Sequence, residues 1–339
     1  MKSILKAIGS LKLPILFFLV LFYLSCGDGN DDGLFGLTQK QSEISIPSGT
    51  TDTIVYALVD NTRIPVYLSF PEGCDIQNYP AVVVMHGSDG MWKNHDPESK
   101  AMSGQNNEWR KIFDDNCIIG AFVDSYSTRG VTTRTGKWTT APDNFKISSQ
   151  FVRPRDANAT LSLLRGLTFG DGRSIVRPKD IGILGFSDGA TTVASTLYDS
   201  NATPSDWVWK QKFDGKEYNT SSGVKAPPKI PTDGGFAGGV FYYGGSGGFD
   251  YWGSHACGTN GLEGNVYVSY APILYQLPAN GYLTENSLCL VDLLKKKGNN
   301  VELNVYANVG HGFDFDDNVQ SIIARKNTIN WFKKILNMN

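Results

Sequence analysis

Residues 181–189 read Ile-Gly-Ile-Leu-Gly-Phe-Ser-Asp-Gly, and this stretch decides the fold class. Its first half is typical of a buried strand, and residues 190–197 carry apolar side chains at helical spacing. A Gly-x-Ser-x-Gly motif between a strand and a helix predicts a nucleophile elbow, a tight turn that lifts the serine hydroxyl above the sheet. Gly185 and Gly189 leave room for so sharp a turn. We interpret Ser187 as the candidate nucleophile.

A second Gly-x-Ser-x-Gly pattern occupies residues 244–248, which read Gly-Gly-Ser-Gly-Gly. No helical spacing follows it, so the strand-turn-helix context that gives the motif its meaning is absent. Ser187 is therefore favoured over Ser246. The alternative for Ser187 is an ordinary serine that caps the following helix.

The first 25 residues differ from the rest of the chain. Three lysines precede an apolar run over residues 13–24, and Ser25 and Cys26 follow. This pattern predicts a secretory signal peptide over residues 1–25, with Cys26 lipidated as in bacterial lipoproteins. Simple cleavage nearby or a retained anchor is the alternative. Residues 26–41 then form a tether, and a lipid-anchored location in the bacterial cell envelope, facing the periplasm or the outside, is expected.

Charge and cysteine content limit the partners. The chain has a net charge of −2, and loss of the signal peptide would make it more acidic, so no nucleic-acid partner is expected. An exported chain meets an oxidising compartment, where Cys74, Cys117, Cys257 and Cys289 allow one or two disulfides of undetermined pairing. Cys117 and Cys289 lie in apolar segments and are expected to be buried free thiols. The oligomeric state is left open.

Hydrophobic patterning predicts one α/β domain over residues 42–339. Residues 42–71 alternate as antiparallel strands do, and continuous apolar runs follow at residues 80–85, 117–123, 181–186, 240–243 and 271–277. Helical patterns separate these runs, which predicts a mostly parallel sheet covered on both faces. Residues 201–235, rich in tryptophan and proline, interrupt this rhythm. A segment of this length is a cap over the active site or a surface excursion.

A serine nucleophile needs a base, and the chain has four histidines. Residues 301–307 alternate as an edge strand does, and His311 follows this last strand. Loops at the carboxyl ends of parallel strands meet at one rim, so His311 is the expected base, with helix capping as the alternative. His86 follows the strand over residues 80–85 and is expected to be structural. In hydrolases of this architecture, the amides of Ser88 and Asp188 would form the oxyanion hole. No histidine spacing fits a zinc hydrolase, and no metal or cofactor is expected.

Several short motifs together resemble the dienelactone hydrolase family of the α/β-hydrolase superfamily. The resemblance extends from about residue 56 to the C-terminus. The motifs that carry it are His86-Gly87, Asp-Ser-Tyr-Ser-Thr-Arg-Gly at residues 124–130, Arg155-Asp156-Ala157, the Ser187 elbow, Pro272-Ile273-Leu274 and His311-Gly312-Phe313-Asp314. The resemblance implies an α/β-hydrolase fold and hydrolysis of a small-molecule ester or lactone through an acyl-enzyme. Serine stands here where the founding members carry cysteine.

The chain departs from the family at the triad acid. The turn that carries the family's acid reads Pro-Ala-Asn-Gly-Tyr at residues 278–282 and has no carboxylate. Asp250, on the loop after the preceding strand, is the first replacement, and Glu285, at the start of the next helix, is the second. Asn280 or the absence of any acid remains open. Asp314 and Asp316 are expected to cap the terminal helix.

Two further residues are candidates for substrate binding. Arg129 would hold a substrate carboxylate, or instead form a structural ion pair with Asp124 or a helix end. Tyr126 would line the site beside the tryptophans, unless it belongs to the core. The function favoured is a serine carboxylesterase. The alternatives are a peptidase of the same fold and a binding lipoprotein of weak catalytic power.

Overall fold

The computed structural model describes residues 44–74, 76–133, 140–245 and 249–338. The predicted signal peptide, Cys26 and the tether lie outside the described residues. Among the described residues, no helix combines the length and the apolar character that a membrane crossing requires.

Twelve strands of the described chain form one large sheet and two small ones. They are β1 (Ile44–Ile46), β2 (Asp52–Val59), β3 (Thr62–Ser69), β4 (Tyr79–Met85), β5 (Ile119–Val123), β6 (Leu167–Phe169), β7 (Val176–Phe186), β8 (Lys210–Phe213), β9 (Lys216–Asn219), β10 (Gly239–Tyr242), β11 (Ile273–Pro278) and β12 (Val301–Tyr306). The large sheet has the order β12-β11-β10-β7-β4-β5-β3-β2. Its strands from β12 to β5 are parallel to one another, β3 is antiparallel to β5, and β2 is antiparallel to β3.

Helices cover both faces of this sheet. They are α1 (Gly104–Asp114), α2 (Ala141–Phe145), α3 (Arg153–Arg165), α4 (Asp188–Thr196), α5 (Phe249–Trp252), α6 (Gly261–Gly264), α7 (Thr284–Lys296) and α8 (Val319–Ile335). Along β4, Val83 packs into the cluster that contains side chains of α3, α4 and α7, whereas Val82 and Val84 pack into the cluster of α1 and α8. Alternate strand residues thus feed opposite cores, as the strand period of two requires. The prediction of a mostly parallel, doubly covered sheet is confirmed.

The segment over residues 201–235 forms the hairpin β8–β9 and short turns. It packs through aromatic rings: Trp209 lies 4.8 Å from Tyr251, and Tyr218 lies 5.5 Å from Phe145, between ring centroids. These contacts account for part of its aromatic content as ordinary packing. Its role as a cap over the active site stays a prediction.

Two disulfides join cysteines that are distant in sequence, Cys74 to Cys117 and Cys257 to Cys289. The expectation of free thiols at Cys117 and Cys289 is therefore wrong. The apolar run over residues 117–123 placed Cys117 in a predicted buried strand. In the structure, β5 begins only at Ile119, and Cys117 lies in a turn with a left-handed φ of 56°. The fold places Cys74 and Cys257, which lie outside the helices and strands, beside Cys117 and Cys289.

Each disulfide closes a long loop, of 43 and 32 residues in sequence separation. Loop-closure entropy predicts that each stabilises the chain by about 4 kcal/mol, and engineered cases often fall below that value. We expect the double substitution of Cys74 and Cys117 to serine to lower the free energy of unfolding by about 2–4 kcal/mol, measured by urea unfolding. Reduction of the wild-type protein should lower it further. An unchanged urea midpoint after reduction would contradict the pairing.

Candidate active site

The backbone at Ser187 turns sharply between β7 and α4, with φ 51° and ψ −114°. A Cβ added to Gly185 would lie 2.1 Å from the carbonyl oxygen of Gly189, and one added to Gly189 would lie 2.0 Å from that of Met85. Only glycine fits at either position. The motif glycines are therefore required by the close approach of the turn to itself and to the end of β4, as a nucleophile elbow demands.

His311 meets Ser187 at the rim formed by the carboxyl ends of the parallel strands. It lies in the turn between β12 and α8, and its Nε2 is 2.9 Å from the Oγ of Ser187. The structure thus brings together the two residues that the sequence singled out as nucleophile and base, although 124 positions separate them. At this distance the imidazole can accept the hydroxyl proton directly.

The loop after β4 lies against the elbow. A Cβ added to Gly87 would be 3.6 Å from the Cβ of Ser187, so Ser88 follows a residue in contact with the nucleophile. Asp188 is the first residue of α4, where amides point out of the helix without intrahelical partners. The two backbone segments predicted to form an oxyanion hole therefore both adjoin Ser187.

Arg153, which the sequence interpretation did not single out, joins these two segments. Its side chain is fully buried, and its Nη1 lies 2.6 Å from a carboxylate oxygen of Asp188. Its Nη2 donates to the carbonyl oxygen of His86 at 2.6 Å. The other carboxylate oxygen of Asp188 accepts from Ser149. Arg153 thereby ties the residue after the nucleophile to the loop after β4.

His86 and Tyr126 are buried beside this ion pair. Burial, followed by the charge of Arg153, lowers the pKa of His86 to about 3, so the imidazole is neutral in ordinary buffers. Its Nδ1 lies 2.7 Å from the carbonyl oxygen of Gly87, which fits the expected structural role. The Tyr126 hydroxyl donates to Asp188 at 3.2 Å, and its side chain is only 1% exposed. Tyr126 therefore packs behind the elbow instead of lining an open site.

Arg129 forms a structural ion pair instead of presenting a free cation. Its Nη1 and Nη2 lie 2.7 and 2.6 Å from the two carboxylate oxygens of Asp156, and Nη1 also donates to the carbonyl oxygen of Ser125. Asp156 is fully buried in the first turn of α3. The predicted capture of a substrate carboxylate by Arg129 is corrected accordingly, since the guanidinium fork is already occupied. The helix-end alternative describes what is seen.

No carboxylate completes a triad in the described residues. The Nδ1 of His311 is buried and has no hydrogen-bond partner among them. Asp250 lies in α5, and Glu285 lies exposed in the first turn of α7; neither is within hydrogen-bond distance of Nδ1. Asn280 is exposed in the turn after β11. The predictions of Asp250 as the acid, and of Glu285 as its alternative, are therefore corrected by this geometry.

Two tyrosines contact His311 instead. The ring of Tyr243, directly after β10, lies 4.7 Å from the imidazole between centroids, and that of Tyr282 lies 4.6 Å away. The Tyr282 hydroxyl is 3.3 Å from Nε2. Tyr282 comes from the very turn that carries the acid in the resembled family. An aromatic ring thus occupies the neighbourhood in which a carboxylate was sought.

Asp314 is buried behind Tyr243. Its carboxylate accepts hydrogen bonds from Trp109 at 2.7 Å, from Gln105 at 2.8 Å and from the Tyr243 hydroxyl. Burial raises the pKa of Asp314 to about 6, although these donors oppose the shift. The expectation that Asp314 caps the terminal helix is wrong, because Asn318 caps α8 through the amide of Ser321. A carboxylate three residues after the base was the available sequence signal for this cluster.

Comparisons with known proteins come from solved structures alone, since no protein-family profile and no curated protein sequence matches the chain. A Klebsiella pneumoniae protein assigned as a dienelactone hydrolase aligns over 84% of this chain and 98% of its own, with a TM-score of 0.52 and 13% identity. Thermogutta terrifontis esterase 2, phosphorylated by paraoxon, aligns over 84% and 94%, with a TM-score of 0.51 and 14% identity.

A dienelactone hydrolase-like promiscuous phosphotriesterase from metagenomic libraries aligns over 84% of this chain and 98% of its own, with a TM-score of 0.51 and 14% identity. The chain has an α/β-hydrolase fold. At these identities the likeness establishes the fold and leaves the chemistry to the site. Among the described residues, no group of histidine, cysteine and carboxylate side chains is arranged to hold a metal ion.

Arg153→Ala tests whether the ion pair holds the elbow. Removing the guanidinium leaves Asp188 poorly compensated beside the nucleophile, so we expect the free energy of unfolding to fall by about 3–5 kcal/mol in urea unfolding. Arg173→Ala is the control, because its pair with Asp171 is exposed, at 61% and 52%, and should change stability by less than about 1 kcal/mol. Equal losses in the two variants would contradict this role.

Asp314→Asn tests the raised pKa of the buried carboxyl. The folded pKa of about 6 exceeds the ordinary 3.8, so the folded state binds this proton more tightly. The contribution of Asp314 to stability is therefore full below about pH 4 and is lost as the pH rises through 6. Relative to wild type, the variant should gain up to about 3 kcal/mol in free energy of unfolding between pH 4 and 7. For the control variant Asp316→Asn, at an exposed position, the curve of unfolding free energy against pH should be parallel to that of wild type. A curve parallel to wild type for Asp314→Asn as well would disprove the raised pKa.

Proposed function

We propose that the chain is a serine hydrolase that cleaves carboxylic esters through an acyl-enzyme. One observation carries the proposal: the Ser187 hydroxyl lies on a strained elbow, 2.9 Å from the Nε2 of His311. A serine acts as a nucleophile when an adjacent base takes its proton. The elbow glycines and the loop after β4 supply the rigid surroundings that such chemistry needs.

Acylation begins as the Oγ of Ser187 attacks the ester carbonyl carbon and His311 accepts the hydroxyl proton. The negative charge on the carbonyl oxygen then lies between the amides of Ser88 and Asp188, each worth about 2.7–4 kcal/mol of transition-state stabilisation. As the tetrahedral intermediate collapses, the imidazolium returns its proton to the leaving alkoxide, and the alcohol departs. Ser187 is left acylated and His311 neutral.

Deacylation repeats these steps with water. His311 removes a proton from the water as it attacks the acyl carbon, and the proton then passes to the Oγ of Ser187 as the acid is released. Burial lowers the pKa of His311 below its ordinary value of 6.5, so the imidazole is in its basic, neutral form at pH 7. The acid limb of the activity profile should accordingly lie below the usual histidine range.

The structural relatives support an ester rather than an amide substrate. They include an esterase that paraoxon phosphorylates and a dienelactone hydrolase-like phosphotriesterase. Attack on the phosphorus of an organophosphate requires an activated nucleophile of the kind that the Ser187–His311 pair provides here. The proposal takes small-molecule esters as the substrate class.

We also propose that the enzyme works outside the cytoplasm, anchored by a lipid on Cys26. The lysine-rich start, the apolar run and Ser25-Cys26 support export and lipidation. The two disulfides support an oxidising compartment. Mass spectrometry of the membrane-extracted protein would show a lipidated Cys26 at the mature N-terminus, and an unprocessed Met1 would contradict the proposal.

Hydrolysis of a panel of short-chain aryl esters by the purified protein tests the chemistry. We expect Ser187→Ala to lower kcat by about 10⁴-fold or more, because the variant lacks the hydroxyl that attacks the ester. Ser246→Ala is the matched control, since Ser246 stands in the second Gly-x-Ser-x-Gly pattern, and its turnover should equal that of wild type.

A serine-directed fluorophosphonate gives a readout independent of the substrate. It should label wild type and Ser246→Ala at Ser187 and leave Ser187→Ala unlabelled. Full activity in Ser187→Ala would overturn the assignment. Inertness of the wild-type protein toward the fluorophosphonate would favour a binding lipoprotein that retains the fold.

A further inference from the structure

Among the described residues, no carboxylate is hydrogen-bonded to His311, yet its ring is in contact with two tyrosines. The ring centroids of Tyr243 and Tyr282 lie 4.7 and 4.6 Å from that of His311. A cation within about 6 Å of an aromatic centroid is attracted by the negative face of the ring. His311 becomes such a cation each time it accepts the proton of Ser187.

We propose that Tyr243 and Tyr282 take over the task of the missing triad acid: they orient the imidazole of His311 and stabilise its imidazolium form, and Asp314 anchors Tyr243 for this purpose. The three are positioning residues, since they act on the substrate through His311. The inference deepens the proposed esterase function and rests on it for the role of His311 as the base.

Tyr243 is held in place from both ends. Its backbone adopts φ 42°, a left-handed conformation that an aromatic residue adopts only under constraint from its surroundings. Its amide donates to the carbonyl oxygen of Gln276 at 3.2 Å, and its side chain is only 2% exposed. Backbone strain of this kind accompanies functional placement, and here it aims the ring at His311.

The far end of Tyr243 is bound to a buried acceptor. The phenol donates to Asp314 and accepts from the Nε2 of Gln105 at 2.7 Å, while Trp109 donates to the same carboxylate. A phenol that donates to a carboxylate gains electron density, which strengthens the attraction between its ring face and a cation. Asp314 thereby stabilises the His311 cation indirectly, through the ring of Tyr243, and not by a direct hydrogen bond.

Tyr282 contacts His311 from the solvent-exposed surface. It is 75% exposed, and its ring is tilted by 32° to the imidazole. Its hydroxyl oxygen, 3.3 Å from Nε2, can accept a hydrogen bond from the Nε2–H once His311 has taken the proton of Ser187. The ring contacts of His311 are thus with two titratable side chains, and Asp314 lies behind one of them, Tyr243.

The two rings can supply only part of the rate enhancement that a triad acid provides. Loss of a triad acid lowers turnover by about 10⁴-fold. A cation–π contact supplies about 2- to 30-fold per ring. Two rings therefore recover part of the deficit, and the enzyme is expected to turn over more slowly than a triad hydrolase.

Titration of His311 by NMR in the full-length protein tests the inference without any ester. The chain has four histidines, and the loss of one resonance in His311→Gln assigns the signal. We expect Tyr282→Leu, which keeps apolar bulk but removes the ring, to lower the pKa of His311 by about 0.3–1.5 units. Tyr282→Phe keeps the ring and should shift the pKa by less than half as much. An unchanged pKa in the leucine variant, or equal shifts in both, would overturn the role of the ring.

The rate of fluorophosphonate labelling of Ser187 against pH tests the second tyrosine. Tyr243→Phe retains the ring but frees it from Asp314, so labelling should slow and its acid limb should move to lower pH. A merely structural loss would slow labelling without moving the limb and would count against the proposal. Asp250→Asn and Glu285→Gln should label like wild type, and a loss of about 10⁴-fold in either would restore a conventional triad and overturn the inference.

The two proposals fail in different ways. If Ser187 in wild type is not labelled and no ester is cleaved, the esterase assignment fails, while the NMR titration still reports whether the tyrosines stabilise the imidazolium. If wild type is labelled and the His311 pKa is the same in all Tyr282 variants, the esterase stands and the tyrosine proposal fails.

Discussion

The close packing of the Ser187 turn against the ends of two neighbouring strands is the constraint on which the site depends. The amide of Ser187 donates to the carbonyl oxygen of Tyr242 at 3.0 Å, and Gly189 lies against the end of β4. A Cβ on Gly244 would approach the carbonyl oxygen of Ser187 to 2.9 Å. Backbone strain persists only where the surroundings leave no other conformation, and here β4 and β10 provide those surroundings.

Buried polar groups then fix the rim on either side of the turn. On one side, the ion pairs Arg153–Asp188 and Arg129–Asp156 hold the elbow, the loop after β4 and the start of α3 together. On the other, Asp314 gathers donors from α1 and from the end of β10. Such groups add little net stability because desolvation opposes them, but they leave the surrounding backbone few alternative arrangements.

Local patterns predicted the parts of the site that depend on topology. The Gly-x-Ser-x-Gly motif after an apolar run located Ser187, and the order of strands located His311, because the carboxyl ends of parallel strands converge. Interpretations failed where a residue's role depends on its neighbours in space. Arg129 looked available for a substrate, although Asp156 occupies its guanidinium, and Cys117 looked like a buried thiol, although Cys74 lies beside it.

By itself, then, the sequence determined the α/β architecture, the elbow and the histidine that faces it, because hydrophobic periodicity and the positions of required glycines are local properties of the chain. Only the tertiary structure decided what surrounds that histidine. The rings of Tyr243 and Tyr282 arrive from two different strand ends, and Asp314 reaches Tyr243 from a third segment. A missing carboxylate can be seen in a sequence, but what stands in its place is a matter of contacts between segments, which no local pattern encodes.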